Sequence, residues 1–349
     1  MLSDTVAAAE RRKTQPEARC LPALKGVSLR WVSITFFLVA FALGVAGWIA
    51  GDSFYLRLAT EALILSGLAI SVDLLLGYTG LLSLGQAMFF GFGAYVSTLV
   101  LKHMASSFWL AIAVALAVGL VPAVVGGIIA NRVRGVYFAL ITFGLAQVAS
   151  RAVYNTRELG ASDGMIGIPQ LEIDFLLFSV DTAQPIAFFL MMLACIAGLY
   201  AAIAYFLDTP FGRVLTAIRV NEKRAPFLGY HTRFYVFSAY VLAAEVAVLV
   251  GAIYPILRGF VSPELMFFHA SGNAVINVIV GGVGTLIGPI IGSSVLTGLR
   301  SVISGYTEHH LIVIGGIFMI SVMFFPKGIA GYLRAWIERR AVRTRGGVR

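Results

Sequence analysis

The chain has 349 residues, of which 59% are hydrophobic and only 12% charged. Its apolar residues gather in runs of about 20, the length a helix needs to cross the hydrocarbon core, so a soluble domain is excluded and an all-α polytopic membrane protein is expected. Net charge is +9, but 20 of the 26 Lys and Arg fall in 1–30, at Arg132 and Arg134, in 208–233 and from Lys327 onward, whereas Tyr154–Ala183 carries one Arg and five acids. That asymmetry is the positive-inside signature of membrane topology and argues against nucleic acid as a partner.

In chain order, 1–30 reads as a basic cytoplasmic tail. Span 1, about 31–50, is too long for the apolar core of a signal peptide and lacks a small-x-small cleavage site, so it is a retained span. Cys20 falls in the tail and Cys195 in an apolar run, which argues against a disulfide. After an outer turn at Gly51-Asp52-Ser53, span 2 covers about 55–76 and carries Glu61 and Asp73 near its ends, where interfacial placement is expected. Gly77-Tyr78-Thr79-Gly80 is a tight break before span 3, about 81–101. Span 4, about 108–130, contains Pro122, and Asn131–Gly135 returns the chain to the cytoplasm. Span 5, about 136–153, leads to an acidic outer loop, 154–183.

Span 6, about 184–206, precedes the basic segment 208–233. Span 7, about 234–257, holds Glu245 at its middle, where an interhelical contact is a better reading than a proton relay, since no second buried acid or Lys pairs with it in sequence. The glycine-rich stretch Ser271–Leu299 is long enough for two short spans or a broken helix pair turning at Gly281–Gly284. A last span, about 311–325, ends at a basic tail, 327–349. The total is about ten transmembrane helices in one membrane domain, 31–326, with both ends cytoplasmic.

No catalytic constellation stands out. There is no HExxH pattern, and His309-His310 reads as a solvated interfacial pair because adjacent residues do not share a helix face. No metal site is expected. No GxxxxGK[ST] loop is present, so if ATP drives transport another subunit must bind the nucleotide. The breaks Gly77–Gly80 and Gly281-Gly282-Val283-Gly284 resemble each other, and transporter sites often sit at interrupted helices. Gly77, Tyr78, Gly80, Ser83, Gly85 and Gln86, with Gly281, Gly282 and Gly284, are therefore candidates for a polar translocation path. Close helix packing is the competing reading. Asn273 and Asn277, one turn apart, would bridge helices or line the same path.

The segment 208–233 carries Arg213, Arg219, Lys223, Arg224 and Arg233. Thr209 is placed to cap a helix whose first turn accepts Pro210, and Pro226 and Gly229 close its far end. Phe211, Leu215 and Ile218 form an i, i+4, i+7 stripe. The expectation is a short amphipathic helix across the inner mouth of the protein, its stripe beside basic residues suiting a partner's groove.

These residues carry a resemblance. TPFGRVLTAIRVNEKRAPFLGY resembles the cytoplasmic loop of ABC importer permeases of the branched-chain amino acid type. GYTGLLSLGQAMFFGFGAY, GASDGMIGIP, GGVGTLIGPIIG and FFPKGIAG resemble the LivM-like subunit of that family, and together the segments run from about 55 to 332. The resemblance implies a type II ABC importer-like permease in a bacterial inner membrane. It implies a second, LivH-like permease subunit, two ABC ATPase subunits that bind ATP and Mg, and a periplasmic or lipid-anchored solute-binding protein captured by outer loops including 154–183. No cofactor is implied for this chain. Phe211, Gly212, Arg213, Arg219, Glu222, Ala225 and Gly229 would couple to the ATPase. Glu222, Ala225 and Gly229 match the family's docking motif, while Arg224 stands where a second small residue is common. Branched-chain amino acids are the implied solute; urea, short amides and aromatic acids are carried by family members too. The alternative from another class is an ion-coupled secondary carrier in which Glu245 or Asp73 titrates.

Overall fold

A computed structural model describes residues 27–104, 107–168, 171–175, 178–307, 309–324 and 328–333. Most of the expected basic tails, Cys20 included, lies outside the described residues. Among those residues, eleven helices account for nearly all regular structure: α1 Val27–Ile49, α2 Ser53–Leu76, α3 Gln86–His103, α4 Phe108–Ala130, α5 Val136–Asn155, α6 Pro185–Asp208, α7 Pro210–Val220, α8 Thr232–Arg258, α9 Phe268–Gly281, α10 Ile287–Ser304 and α11 His310–Phe324. Seven of them (α1, α2, α4, α5, α6, α8 and α10) are long and apolar enough to cross a membrane on their own. The helices α3, α9 and α11, of 18, 14 and 15 residues, pack beside them, consistent with a count of about ten. The eleventh, α7, is the short amphipathic helix expected from the basic segment.

Helices α2 and α8 form the centre, buried over most of their surface. Lipid offers helices no hydrophobic reason to associate, so contact depends on small residues that let backbones approach. A Cβ on Gly93 of α3 would strike the Val248 backbone of α8, and one on Gly251 of α8 would strike the Phe90 backbone of α3. The Ser97 hydroxyl donates to the Ala252 carbonyl at 2.8 Å along the same seam. Gly67 of α2 and Gly119 of α4 make room for Val250 and Val248. By contrast α4 leaves Val121, Val125 and Ile128 exposed, an apolar surface on the outside of the chain.

One expected boundary moves, and one open choice is decided. Span 3 does not start at 81: α3 begins at Gln86, so the backbone is non-helical from Gly77 to Gly85. The glycine-rich stretch 271–299 is a hairpin of two helices, α9 and α10, joined by 282–286. Its seam is again small residues: Gly281 lies against the Gly288 backbone and Gly292 against the Asn277 carbonyl. At the end away from α7, the acidic loop adds short strands, β1 Met165–Ile166, β2 Glu172–Phe175 and β3 Phe178–Asp181, and β4 is Phe260–Val261. β1 pairs antiparallel with β4, and β2 with β3. Glu61 pairs with Arg258 near this end.

Candidate functional site

The two glycine breaks meet. Asp73, in the last turn of α2, extends its carboxylate across the gap to the second break. Its Oδ1 accepts the Gly284 N–H at 2.7 Å and its Oδ2 accepts the Leu286 N–H at 3.3 Å. Leu286 immediately precedes α10, so Asp73 holds the turn that leads into that helix, while the first-turn amide of Gly288 is taken by Thr285 Oγ1 at 3.0 Å. Gly284 has φ +77°, and Leu286 has φ 55°, uncommon for a residue with a branched side chain. The Tyr78 hydroxyl, from the first break, donates to the Gly284 carbonyl at 3.2 Å.

Asp73 is fully buried, at the end of the span where interfacial placement is expected. The span does end close by, but the second break covers it. A buried acid is costly unless its oxygens are satisfied, and backbone amides supply that here. The only trace in the sequence is an acid one turn ahead of a glycine break.

Helix α7 closes the junction. The Arg219 guanidinium donates to the Gly77 carbonyl. Its stem crosses Gly80, where a Cβ would lie 3.2 Å from Arg219 Cγ, and its tip passes Gly284, where a Cβ would lie 3.0 Å from Nη1. A side chain at either glycine would displace the arginine. Gly328 packs against the Gly282 backbone and Ala330 is buried, so the segment 328–333 seals the second break. Thus Gly77, Tyr78, Gly80, Gly282 and Gly284 come together under Arg219, with Gly281 one residue behind on α9.

The other expected path residues sit elsewhere. Ser83 and Gln86 are fully buried where α3 starts. Hydroxyls from two other helices pin that start: Thr142 of α5 accepts the Leu84 N–H at 3.1 Å, and Ser271 of α9 accepts the Ala87 N–H at 3.0 Å. The Gly85 N–H reaches Ser83 Oγ at 3.4 Å. Both amide atoms of Gln86 are buried with no hydrogen-bond partner among the described residues, as is Oε1 of Glu245. The expected interhelical contact of Glu245 is therefore not a hydrogen bond through that oxygen. Asn273 is exposed and Asn277 buried, so the pair does not present one polar surface.

The basic segment also differs in detail. The Thr209 side chain does not cap α7; its hydroxyl donates back to the Phe206 carbonyl at 2.6 Å. The reason is the shortness of the link: Thr209 also ends α6, and Pro210 already opens α7. The apolar stripe is not free for a partner. Leu215 and Ile218 are buried in the chain's own core, and Phe211 stacks between Phe206 and Tyr235 at 5.2 and 4.7 Å. Gly212 lies against the Leu207 backbone, which lets α7 fold back on α6. Ala225 is buried, and Glu222 accepts from Arg134 in the α4–α5 turn.

What α7 and its following turn leave open is the opposite face: Arg213, Val220, Lys223, Arg224, Phe227 and Leu228. Phe227 is 90% exposed and Leu228 73%, beyond what a solvated loop ordinarily shows. Gly229, φ +83°, ends the short helix Ala225–Leu228 and is exposed with them.

The branched-chain amino acid transport system permease component family matches residues 54–322. The chain belongs to this permease family. The matched region runs from α2 into α11 and contains both breaks, Asp73 and α7. The permease is 25% identical to the high-affinity branched-chain amino acid transport system permease protein LivM of Salmonella typhimurium strain LT2, covering 93% of this chain and 81% of that protein. Identity to LivM of Escherichia coli K12 is also 25%, with the same coverage. LivH of Escherichia coli K12 is 23% identical over 76% of this chain and 90% of its own length. No solved structure gives a significant match. The permease is accordingly a multi-pass membrane transport protein, and its relatives are transport permeases rather than enzymes.

Proposed function

We propose that this chain is the LivM-like permease subunit of an ATP-driven importer for branched-chain amino acids or a related small polar solute. It sits in a bacterial inner membrane with both termini and α7 cytoplasmic. A LivH-like permease is its membrane partner, two ABC ATPases supply ATP and Mg chemistry, and a binding protein delivers solute to the end carrying β1–β4. The observation that carries this reading is the bond from Arg219 to Gly77. It ties an exposed, basic and aromatic surface directly to the meeting point of two broken membrane helices. An ATPase seated on Phe227, Leu228 and the basic residues around them would move α7 as it closes. Arg219 would pass that motion to Gly77, and Asp73 would pass it on to α10. Solute would be admitted where the breaks part, with Ser83, Gln86 and the open backbone offering polar groups.

Two measurements test this reading. Purification in mild detergent, with mass spectrometry of the bound chains, is expected to recover a second permease chain and an ATPase; a chain that purifies alone under several gentle conditions contradicts it. Gly229→Val is expected to cut uptake about fivefold to thirtyfold at normal membrane abundance. No atom lies within 4 Å of a Cβ there, so the fault is a left-handed turn that a β-branched residue disfavours by about 1–2 kcal/mol. Gly229→Asn, which tolerates that conformation, should keep most uptake. Equal uptake by the Val and Asn variants would remove the turn from the docking surface.

One observation favours the ion-coupled carrier, namely that the Glu245 Oε1 at the middle of α8 has no hydrogen-bond partner among the described residues. Uptake that survives ATP depletion but collapses with an uncoupler, and is lost in Glu245→Gln, would select it.

A further inference from the structure

A cavity of about 270 Å³ opens where α4 ends and α8 begins, lined by Ile128, Asn131, Arg132, Arg233 and Phe237. Its mouth is basic. Arg132 and Arg233 are exposed, and neither guanidinium has an acidic or hydrogen-bonding partner among the described residues. Arg134, two residues on, is by contrast taken up by Glu222. The walls are apolar and fixed. Phe237 lies against α4 because residue 127 is glycine; a Cβ there would come within 2.9 Å of its ring. The Asn131 side-chain amide donates to the Arg233 carbonyl at 2.8 Å, joining the two helix ends.

Beyond the cavity the exposed apolar surface of α4 continues. Val121, Val125 and Ile128, at i, i+4 and i+7 on α4, are 63%, 52% and 50% exposed. They form an apolar track that runs from within the bilayer to the two arginines. A free anion needs only the cationic mouth. An apolar track ending in two unpaired cations at helix ends has the chemistry of a phosphodiester headgroup with an acyl chain attached.

We infer that this cavity binds one anionic phospholipid, its phosphate between Arg132 and Arg233 and an acyl chain along Val121, Val125 and Ile128. The lipid would reach the coupling surface through side chains already in place. Arg134 donates to Asn131 Oδ1 at 3.2 Å and to Glu222, and Arg233 lies next to the segment that carries Phe227 and Gly229. Occupancy would hold the α4–α5 turn and the start of α8 together beneath that segment. The inference rests on these helices spanning a membrane and not on the direction or solute of transport.

The test is a native mass-spectrometric titration of the full purified transporter with phosphatidylglycerol or phosphatidylcholine. One phosphatidylglycerol is expected to be retained in preference to phosphatidylcholine. Arg132→Gln with Arg233→Gln should weaken it about thirtyfold, from the usual contribution of a basic residue near an anionic membrane surface. Arg132→Lys with Arg233→Lys should restore most of that loss, which a merely structural role of the arginines would not give. Millimolar inorganic phosphate should leave the lipid in place; displacement by it would mark a free-anion site and overturn the assignment. Equal retention of the two lipids, or full retention by the double Gln variant, overturns it as well. The lipid comparison and the phosphate competition need no variant, so they decide the matter even if the variants fail to assemble. Because the readout is binding, a negative result leaves the importer reading standing.

Discussion

Asp73→Asn is expected to lower solute uptake by about tenfold to a hundredfold while the chain still reaches the membrane. The carboxylate offers an acceptor to each of two amides, Gly284 N–H and Leu286 N–H. Asparagine keeps one acceptor and turns an NH₂ group toward the other donor. A buried donor left without an acceptor costs about 1–3 kcal/mol, and each 1.4 kcal/mol is tenfold in the population of the joined state. The second break would lose its hold on α2, and Leu286 would relax from its uncommon backbone angle. The diagnostic readout is the ratio of transport to ATP hydrolysis in the reconstituted transporter. On the proposed importer reading, ATPase activity should persist while uptake falls, because the exposed surface of α7 is untouched. Arg219→Ala should show the same uncoupling more weakly, since it removes one of the links across the junction. Loss of both activities in parallel would make Asp73 a folding residue and no more.

Gly251→Val is expected to destabilise the whole chain. A Cβ at 251 falls on the carbonyl of Phe90, so it is backbone that must move. Overpacking a close contact costs about 1–3 kcal/mol when side chains can yield, and a value at or above the top of that range is expected here. The α3–α8 seam would open and the Ser97 bond to Ala252 would be lost. The thermal midpoint of the detergent-solubilised protein, followed by size-exclusion fluorescence, should fall by several degrees, with less protein in the membrane. Gly198→Val on α6 is the control, because nothing lies within 4 Å of its Cβ. Equal midpoints for the two variants would show that the seam tolerates separation.

Both predictions depend on features that a sequence presents unequally. The helices were legible because lipid makes a single demand: about 20 consecutive apolar residues with their backbone bonds internal. The breaks were legible because glycine clusters interrupt those runs. The amphipathic helix was legible from Pro210, its stripe and its charges. Which way that stripe faces was not. An i, i+4, i+7 pattern says that one face is buried and leaves open whether the chain's own core or a partner covers it. Here Leu215 and Ile218 are buried by neighbouring helices, and the open surface is the less patterned Phe227-Leu228 turn.

The sequence by itself therefore determined the membrane class, the order of the spans, the two interruptions and the family. Each of these is a local property, written in composition, periodicity or a contiguous motif. Only the tertiary structure decided that the interruptions meet, that Asp73 holds backbone amides more than 200 residues away, that Arg219 reaches Gly77, and that Arg134 holds Glu222. The reason is physical. A buried carboxylate must find donors wherever the fold brings them, and no local pattern records which distant amides those will be.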